Sequence, residues 1–449
     1  MDTWSAVRAA LARPGPGAFC LDGLSRAEVW AMAAWLKKNL PHQGDAPVCL
    51  AAEDRALIAA AVLAALAGGP PLLFPHTFSG QVLAEVRRES GYRQIISEVE
   101  RDLPFGVERL CPPASLSEYS GDELFADGFP GPDVELLRLY TGGSTGKPRI
   151  WRKTAACIFL EMACWREFLR VSEDDRILAT VPPWHIYGFL HSVAMPLISG
   201  AAVATETPSF PEEIAALARS HRATILISAP PHYRALRGKP FHAPSLRFAL
   251  SSTGPLAEED NDSFCKENGV GIIEGYGSTE TGGAAWRNRF QGGAAFTPFA
   301  PVHWRVENGN LLVTTPWMSP DLPCDADGFF AIGDRVAVSG QGFVLRGRVG
   351  SIVKVAGKRV DLEEVTAAIK AFPEARDCLA LALAEDSARG NRIAVLVAGD
   401  FAVDSLKQFL LTRLESHALP KILRVVESIP MKATGKYDRE AALRLLGLG

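Results

Sequence analysis

The sequence has no closely paired cysteines, no apolar run long enough to cross a bilayer and little net charge. Its eight cysteines are scattered, with no C-x-x-C pair, which argues against a disulfide framework or a zinc site and favours reduced thiols. The longest apolar run, Ala56–Ala67, is shorter than the about 20 residues of a membrane-spanning helix. The formal charge of −4 is unlike that of a nucleic-acid-binding protein with a broad basic field.

The first residues are also unlike a secretory signal, because Asp2 and Arg8 enclose no apolar core. We therefore expect a cytoplasmic protein that neither spans a membrane nor binds nucleic acid. Repeats and low-complexity tracts are absent from the sequence. Its oligomeric state cannot be inferred.

The 449 residues, 22% charged and 47% hydrophobic, have the composition of a globular enzyme. Apolar patterns of helical and strand type alternate along the first 250 residues, which predicts parallel sheets built from βαβ units. The predicted helices are Ser25–Leu40, Arg55–Ala67, Thr154–Leu169 and Pro211–His221. The predicted strands are Val48–Ala52, Arg176–Val181, Thr224–Ser228 and Leu246–Ser251.

The pattern changes after Pro301. Short β-rich segments punctuated by Gly and Asn occupy Pro301–Val344 and indicate antiparallel strands or part of a barrel. From Arg348 onward the chain resembles a compact module of about a hundred residues, as is usual for a domain. Asp361 and Glu364 form a capping-box-like helix start within this module.

The densest chemical motif is the loop Thr141–Lys147, which contains three glycines and three hydroxyl side chains and ends in Lys147-Pro148. Glycines let backbone N–H groups approach an anion, hydroxyls donate hydrogen bonds, and lysine supplies positive charge. This loop is predicted to bind phosphate. Its members are Thr141, Gly142, Gly143, Ser144, Thr145, Gly146 and Lys147.

Two other interpretations of this loop were weighed. A Walker loop fails at both ends, because Thr141 stands at its first required glycine and Pro148 at its Ser/Thr magnesium ligand. Gly142–Gly146 also matches the G-x-S-x-G nucleophile elbow of serine hydrolases, with Ser144 as nucleophile. An elbow must run directly into a helix, and Pro148 disfavours the first turn. The hydrolase stays as a minor alternative.

Three weaker motifs follow. In the first, Tyr276 is flanked by Gly275 and Gly277, and its aromatic ring can stack on a purine. The Thr279 hydroxyl and the Glu280 carboxylate follow within four residues and can reach phosphate and Mg²⁺.

The Asp334 carboxylate can accept hydrogen bonds from ribose hydroxyls, and Arg348, fourteen residues later, is a second polar group for the same sugar or a phosphate. Lys436, on a glycine-containing loop near the C-terminus, can bridge developing negative charge. Each of these motifs alone is more commonly a turn, a salt bridge or a solvated lysine.

Together and in this order, the four motifs resemble those of the AMP-forming (adenylate-forming) ligase superfamily, which includes acyl-CoA synthetases, aryl-CoA ligases and adenylation domains. The resemblance runs from about Val48 to Arg439. It implies an α/β fold with a large N-terminal domain of two βαβ-type sheets plus a distorted β-barrel, followed by a small, mobile α+β C-terminal domain. The implied domains are residues 1–347 and 348–449, with a hinge near Gly350.

The resemblance also implies roles for the motifs. The loop 141–147 would close over the ATP phosphates, Tyr276 would stack on adenine, and Thr279 would hold the α-phosphate. Glu280 would bind Mg²⁺.

Asp334 and Arg348 would bind ribose, and Lys436 would catalyse attack of a carboxylate on the α-phosphorus. The acyl-AMP would then pass to the thiol of coenzyme A or of a phosphopantetheine on an acyl carrier protein. Lys354 and Gly357 match positions that enter the site for this second step.

The chain departs from the family pattern at several positions. Gly142 replaces the usual Ser, Arg149 the usual Lys and Ile150 the usual Gly, which puts individual phosphate contacts in question. Gly350 replaces the usual Asp or Lys of the hinge, although glycine still permits a large backbone rotation.

The carboxylic acid is implied only by class: aryl, hydroxyaryl or fatty acyl. His185 resembles the histidine that flanks the carboxylate in such ligases, and Tyr187 the residue that touches an aromatic ring. His191 is either a pocket residue that bonds a substrate hydroxyl or a core histidine. Ser252, Thr253 and Gly254 would form part of the pocket floor. A non-thiol acceptor and a degenerate nucleotide-binding regulator are further alternatives.

Overall fold

The computed structural model describes residues 3–41, 46–141, 149–348, 352–355, 358–384, 391–432 and 436–448. The chain divides into two compact units. One comprises Met1–Trp304 and Val313–Phe330, and the other comprises Arg305–Leu312 and Ala331–Gly449. The predicted boundary at residue 348 remains a prediction, as does the hinge, since Gly350 lies outside the described residues.

A six-stranded sheet forms the first layer of the larger unit, in the order β4-β3-β1-β2-β5-β6. The first five strands are parallel neighbours, whereas β5 and β6 are antiparallel. Its elements are α1 (Thr3–Leu11), α2 (Arg26–Asn39), β1 (Val48–Leu50), α3 (Arg55–Leu66), β2 (Leu72–Phe74), α4 (Gly80–Ser90), β3 (Gln94–Ile96), β4 (Glu108–Leu110), β5 (Glu135–Thr141) and β6 (Arg149–Thr154).

A seven-stranded sheet follows, in the order β13-β12-β11-β10-β9-β7-β8. The strands from β11 to β8 are parallel neighbours. Its elements are α5 (Ala155–Leu169), β7 (Arg176–Ala179), α6 (Ile186–Phe189), α7 (Met195–Ser199), β8 (Ala202–Val203), α8 (Pro211–Ser220), β9 (Ile225–Ser228), α9 (Pro230–Leu236), β10 (Phe248–Ser251), α10 (Glu258–Asn268), β11 (Ile272–Ser278), β12 (Gly282–Asn288) and β13 (Thr297–Pro298).

The β-rich region forms a four-stranded sheet in the order β14-β15-β16-β17, with β16 and β17 antiparallel. Its strands are β14 (His303–Glu307), β15 (Asn310–Thr314), β16 (Phe330–Ser339) and β17 (Gly342–Arg348). No closed barrel is found among the sheets of the described residues.

The C-terminal module contains a hairpin and a three-stranded sheet in the order β20-β21-β22. Its elements are β18 (Ile352–Val355), β19 (Lys358–Asp361), α11 (Leu362–Lys370), β20 (Asp377–Ala384), β21 (Asn391–Ala398), α12 (Val403–Leu411), β22 (Ile422–Val426) and α13 (Arg439–Leu445). Strand β21 is buried from Ile393 to Ala398, so apolar side chains on both of its faces form the core of this module.

Local chemistry explains the helix starts. Ser25 and Glu28 form a complete capping box at the start of α2, and Thr154 accepts a hydrogen bond from the Cys157 N–H at the start of α5. At α11, Asp361 accepts from Glu363 rather than from Glu364. Every residue of α3 is buried, so the Ala-rich run belongs to a core helix. Among the described residues, no helix is long and apolar enough to cross a membrane.

Candidate active site

The candidate site lies at one edge of the seven-stranded sheet. Strands β7, β9, β10 and β11 are parallel neighbours, so their carboxyl ends meet at that edge. Ligands in open α/β sheets bind outside the carboxyl ends of the strands. The segments that follow β7 and β10, together with the last residues of β11 and the turn after it, carry three of the predicted site clusters. The sheet therefore brings together residues that are up to about 95 positions apart in the sequence.

The segment after β7 carries His185 and Tyr187. The Tyr187 hydroxyl donates to the carbonyl of Ser228, at the end of β9, over 3.1 Å. A Cβ at Gly188 would lie 2.0 Å from the Pro182 carbonyl oxygen, so only glycine lets this turn pack so closely. His185 occupies the N-cap of the four-residue helix α6.

The segment after β10 contains Ser252, Thr253 and Gly254. The Ser252 hydroxyl donates to the Gly275 carbonyl on β11 over 3.0 Å. Thr253 has a φ of 76°, a strained conformation for a β-branched residue. Such strain often accumulates at functional sites because the surrounding structure must hold it in place.

The last residues of β11 and the following turn carry Tyr276, Thr279 and Glu280. Tyr276 is 8% exposed, and its ring centroid lies 5.4 Å from that of Phe296. A Cβ at Gly277 would lie 2.1 Å from the Gly282 carbonyl oxygen, so glycine is required where the two strands close on the turn. The predicted residues Gly275, Tyr276 and Gly277 thus share one strand, which delivers the chain into the Glu280 turn.

The Glu280 side chain has the properties of a magnesium ligand. It is partly buried in the turn after β11, and Mg²⁺ prefers carboxylate oxygen ligands. Its backbone carbonyl, by contrast, accepts from the Ser319 N–H at 2.8 Å. The backbone is therefore anchored, and the Glu280 carboxylate has the chemistry of one ligand in the predicted Mg²⁺ site.

His191 lies in a π-helical turn, Leu190–Ala194, a local geometry often found at functional sites. Its ring packs edge-on against Tyr187, with 5.2 Å between the centroids, and against Trp165, with 5.1 Å between the centroids. Burial lowers the His191 pKa to about 3, so the imidazole is neutral at physiological pH. A neutral imidazole can donate and accept one hydrogen bond each.

We expect His191 to make the fold sensitive to acid. Its pKa falls from 6.5 to about 3 on burial, so the unfolded chain binds the proton more readily and stability decreases as pH falls below about 6.5. Substitution His191→Gln should flatten this decrease by up to about 1.4 kcal/mol per pH unit, as measured by urea unfolding between pH 7 and about 4.5. The exposed His242 supplies the matched variant His242→Gln. If the free energy of unfolding depends on pH in the same way in both variants and in the unsubstituted chain, His191 is not buried in its neutral form.

The loop that the sequence predicts to bind phosphate connects two antiparallel strands. Residues 142–148 lie outside the described residues, but β5 and β6 pair up to the couple Thr141 and Arg149. A nucleophile elbow and a Walker loop both lead from a strand into a helix. The element after this loop is a strand, so neither alternative fits, and the Ser144 hydrolase hypothesis loses its structural basis.

The smaller unit carries the remaining predicted residues. Asp334 and Arg348 are directly opposite each other on β16 and β17, although they are fourteen residues apart in the sequence. Lys354 lies on β18, and Gly357 falls outside the described residues. Lys436 is exposed and lies directly before Tyr437, within the segment that the bridge between Met431 and Tyr437 closes.

Three further residues near the site were not identified from the sequence. Trp165 lies under β11, where a Cβ on Gly275 would come within 3.4 Å of its ring. Lys153 and Glu161 are fully buried charges beside the Glu280 turn. Glu161 is a single charge within a predominantly apolar helical pattern, and Lys153 lies just before that helix in a basic segment. Neither feature by itself indicates a role.

Comparison with known proteins shows which family the chain resembles. Residues 25–308 match the family described as AMP-binding enzyme. A p-hydroxybenzoic acid–AMP ligase, FadD22 of Mycobacterium tuberculosis (strain H37Rv), is 28% identical over 69% of this chain and 49% of its own length. A 3-hydroxybenzoate–CoA/4-hydroxybenzoate–CoA ligase of Thauera aromatica is 26% identical over 69% of this chain and 66% of its own. The chain thus spans about half of the first relative and just under two thirds of the second.

Among solved structures, the chain is similar to ATP-bound MatB from Rhodopseudomonas palustris. The TM-score is 0.82, with 19% sequence identity, and the match covers 99% of both chains. At this identity the similarity concerns the fold, and it confirms the predicted fold class.

Proposed function

The chain belongs to the AMP-binding enzyme family, and we propose that it activates a carboxylic acid with ATP and transfers the acyl group to a thiol. The observation that carries this proposal is the convergence of three sequence clusters at the carboxyl edge of the seven-stranded sheet. These clusters begin at His185, Ser252 and Tyr276. A cytoplasmic location is part of the same proposal.

In the first step, a carboxylate oxygen attacks the α-phosphorus of ATP. An O–P bond forms, the bond from the α-phosphorus to the bridging oxygen breaks, and pyrophosphate leaves. Lys436 bridges the two anions and Thr279 holds the α-phosphate. Positioning two anions together and compensating their charge supplies most of the catalysis.

Several of the predicted residues would hold the nucleotide. Tyr276 stacks on adenine, and Asp334 and Arg348 bind the ribose hydroxyls. The loop 141–147 binds the β- and γ-phosphates. Glu280 would hold a Mg²⁺ ion, which when bound neutralises phosphate charge.

In the second step, a thiolate attacks the acyl carbon and AMP leaves. The thiol belongs to coenzyme A or to the phosphopantetheine of a carrier protein, since both present the same arm. Lys354 and rotation near Gly350 serve this step. A chain that transferred its acyl group to a hydroxyl or an amine would have less need of either.

The substrate class we propose is a hydroxyaryl acid. The names of the two relatives, a p-hydroxybenzoic acid–AMP ligase and a hydroxybenzoate–CoA ligase, support this class. So does the aromatic group of Trp165, Tyr187 and His191, whose rings pack edge-on. A neutral His191 imidazole can form a hydrogen bond with a phenol hydroxyl.

The function is tested by measuring pyrophosphate release from ATP with hydroxybenzoates, cinnamates and fatty acids, with and without coenzyme A. Release with one class of acid is the expected result, and stimulation by coenzyme A would favour it as acceptor. Orthophosphate release in place of pyrophosphate would contradict adenylation.

Substitution His191→Ala should change the preference between hydroxylated and plain aromatic acids. Loss of a hydrogen bond to a buried group alters discrimination by about 10-fold or more. The measurement is the ratio of kcat/KM for 4-hydroxybenzoate and benzoate. His242→Ala, on the exposed surface, is the control, and an unchanged ratio in His191→Ala would return His191 to a purely structural role.

A further inference from the structure

Two buried charges of opposite sign lie beside the Glu280 turn. Lys153, on β6, is 1% exposed, and Glu161, on α5, is 3% exposed. Burial lowers the pKa of Lys153 and raises that of Glu161 to about 7, and in each case the charge of the partner opposes the shift. Buried charges are costly unless they are paired and hydrogen-bonded. The hydrogen bonds of Lys153 and Glu161 therefore indicate the structural role of each side chain.

The Lys153 ammonium is bonded to the backbone of the turn. It donates to the Glu280 carbonyl over 3.0 Å and to the Trp317 carbonyl over 3.2 Å. The Ser319 N–H donates to the same Glu280 carbonyl over 2.8 Å. A hydrogen bond from a charged donor is stronger than one between neutral groups, so Lys153 is a principal anchor of the residue whose carboxylate would bind Mg²⁺.

The Glu161 carboxylate holds the other end of the turn. Its Oε1 accepts from the Gly283 N–H over 2.8 Å, and a Cβ on Gly282 would lie 2.5 Å from its Oε2. The indole N–H of Trp317 donates to the Gly283 carbonyl over 2.9 Å. The backbone from Glu280 to Gly283 is thus fixed at both ends.

Lys153 lies on the strand that follows the predicted phosphate loop. Strand β6 begins at Arg149, directly after the loop, and Lys153 lies four residues farther along. The preceding residue, Arg152, forms an ion pair with Asp321. The strand that leaves the loop is therefore bonded both to the Glu280 turn and to the segment that supports it.

We propose that Lys153 and Glu161 are positioning residues that hold the Glu280 turn against strand β6, so that its carboxylate is preorganised for Mg²⁺·ATP. Both side chains are buried, so we assign them no direct contact with the substrate. The proposal rests on the proposed role of Glu280 in binding Mg²⁺. Preorganisation matters because a polar group held in place needs no rearrangement when charge develops.

The test compares Lys153→Met, Glu161→Gln and the double variant. Methionine keeps the length of the side chain but removes its charge and donor. Glutamine keeps an oxygen that can accept from Gly283 while removing the charge. Lys37→Met is the control, since Lys37 also donates to a backbone carbonyl, that of Leu124, over 3.1 Å.

Three quantities are measured for each variant and for the unsubstituted protein. They are the midpoint temperature of thermal unfolding, the hydrogen exchange of the amides of residues 278–284 without ligand, and the Mg²⁺ dependence of pyrophosphate release. Lys153→Met should unfold at a lower temperature, because it removes the positive charge that favours the ionised form of the buried Glu161. It should also exchange the amides of the turn faster and raise the half-saturating Mg²⁺ concentration about tenfold, the equivalent of about 1.4 kcal/mol.

The double variant separates positioning from stability. Removing both charges should restore much of the thermal stability, while fast exchange and the raised Mg²⁺ requirement persist because the donor to Glu280 is still missing. If the double variant recovers all three quantities, the pair serves stability alone and the proposal is wrong. The double variant also supplies the readout if Lys153→Met does not fold.

Failure of the proposed function would be recognised separately. If the unsubstituted protein releases no Mg²⁺-dependent pyrophosphate, that function fails, while amide exchange still reports whether Lys153 holds the turn. If the unsubstituted protein is active and Lys153→Met leaves both the exchange and the Mg²⁺ dependence unchanged, the positioning role is refuted.

Discussion

Substitution Lys436→Ala is expected to reduce acid-dependent pyrophosphate release by about 10²- to 10³-fold, the usual cost of removing one preorganised group that stabilises transition-state charge. The lysine would bridge the attacking carboxylate and the α-phosphate. Its side chain is exposed, on a segment held by the bridge between Met431 and Tyr437. The Tyr437 hydroxyl in turn donates to Asp377 over 2.7 Å, so alanine at position 436 removes the ammonium group and leaves the segment tied in place.

The second half-reaction is the discriminating measurement. When acyl-AMP is supplied, Lys436→Ala should still transfer the acyl group to a thiol at nearly the original rate, because Lys436 acts in the first step. The control is Lys432→Ala on the same segment, where the contact with Lys436 is from the backbone N–H to the carbonyl oxygen, over 2.7 Å, and survives the substitution. Equal loss in both half-reactions would contradict the assignment of Lys436 to adenylation alone.

The second large effect is expected at Glu280. Substitution Glu280→Gln keeps the size of the side chain and one carboxyl-type oxygen but removes the negative charge that Mg²⁺ requires. Because changes even to groups that only support a metal ligand cost about 10- to 100-fold in metal affinity, we expect a loss at least that large. It is measured as the half-saturating Mg²⁺ concentration for pyrophosphate release.

The matched control for this substitution is Glu258→Gln, at an exposed position in the first turn of α10. It removes one negative charge from the same unit without touching the turn after β11. A Mg²⁺ titration that is the same for Glu280→Gln and Glu258→Gln would remove Glu280 from the metal site. ATP binding without Mg²⁺ should be little changed in either variant.

The four helices and four strands that the sequence predicted between α2 and β10 have observed ends within one or two residues of the predicted ones. Helix α2 was expected at Ser25–Leu40 and occupies Arg26–Asn39. Strand β9 was expected at Thr224–Ser228 and occupies Ile225–Ser228. These elements have strong local signals, namely a capping residue at the start and an apolar period that matches the element. The short strands β2, β3 and β4 lack such signals, because three residues are too few to show a period.

The site divides in the same way. The sequence alone identified the chemical groups of the predicted site, because loops rich in glycine and hydroxyl side chains are local features. Their assembly was not, since the register between β10 and β11 places Ser251 opposite Glu274 across 23 positions of sequence. Strand pairing also argues against the hydrolase alternative. The segment after the loop pairs with β5 as strand β6, whereas a nucleophile elbow would lead into a helix.

The sequence by itself indicated the family, the fold class and the residue types that we propose bind ATP and an acid. Only the tertiary structure decided which residues hold those groups in place. Lys153 and Glu161 illustrate the reason: a buried charge is stable only through partners supplied by distant segments. Lys153 finds its partners at Glu280 and Trp317, which are 127 and 164 positions away, and no local pattern records such a contact.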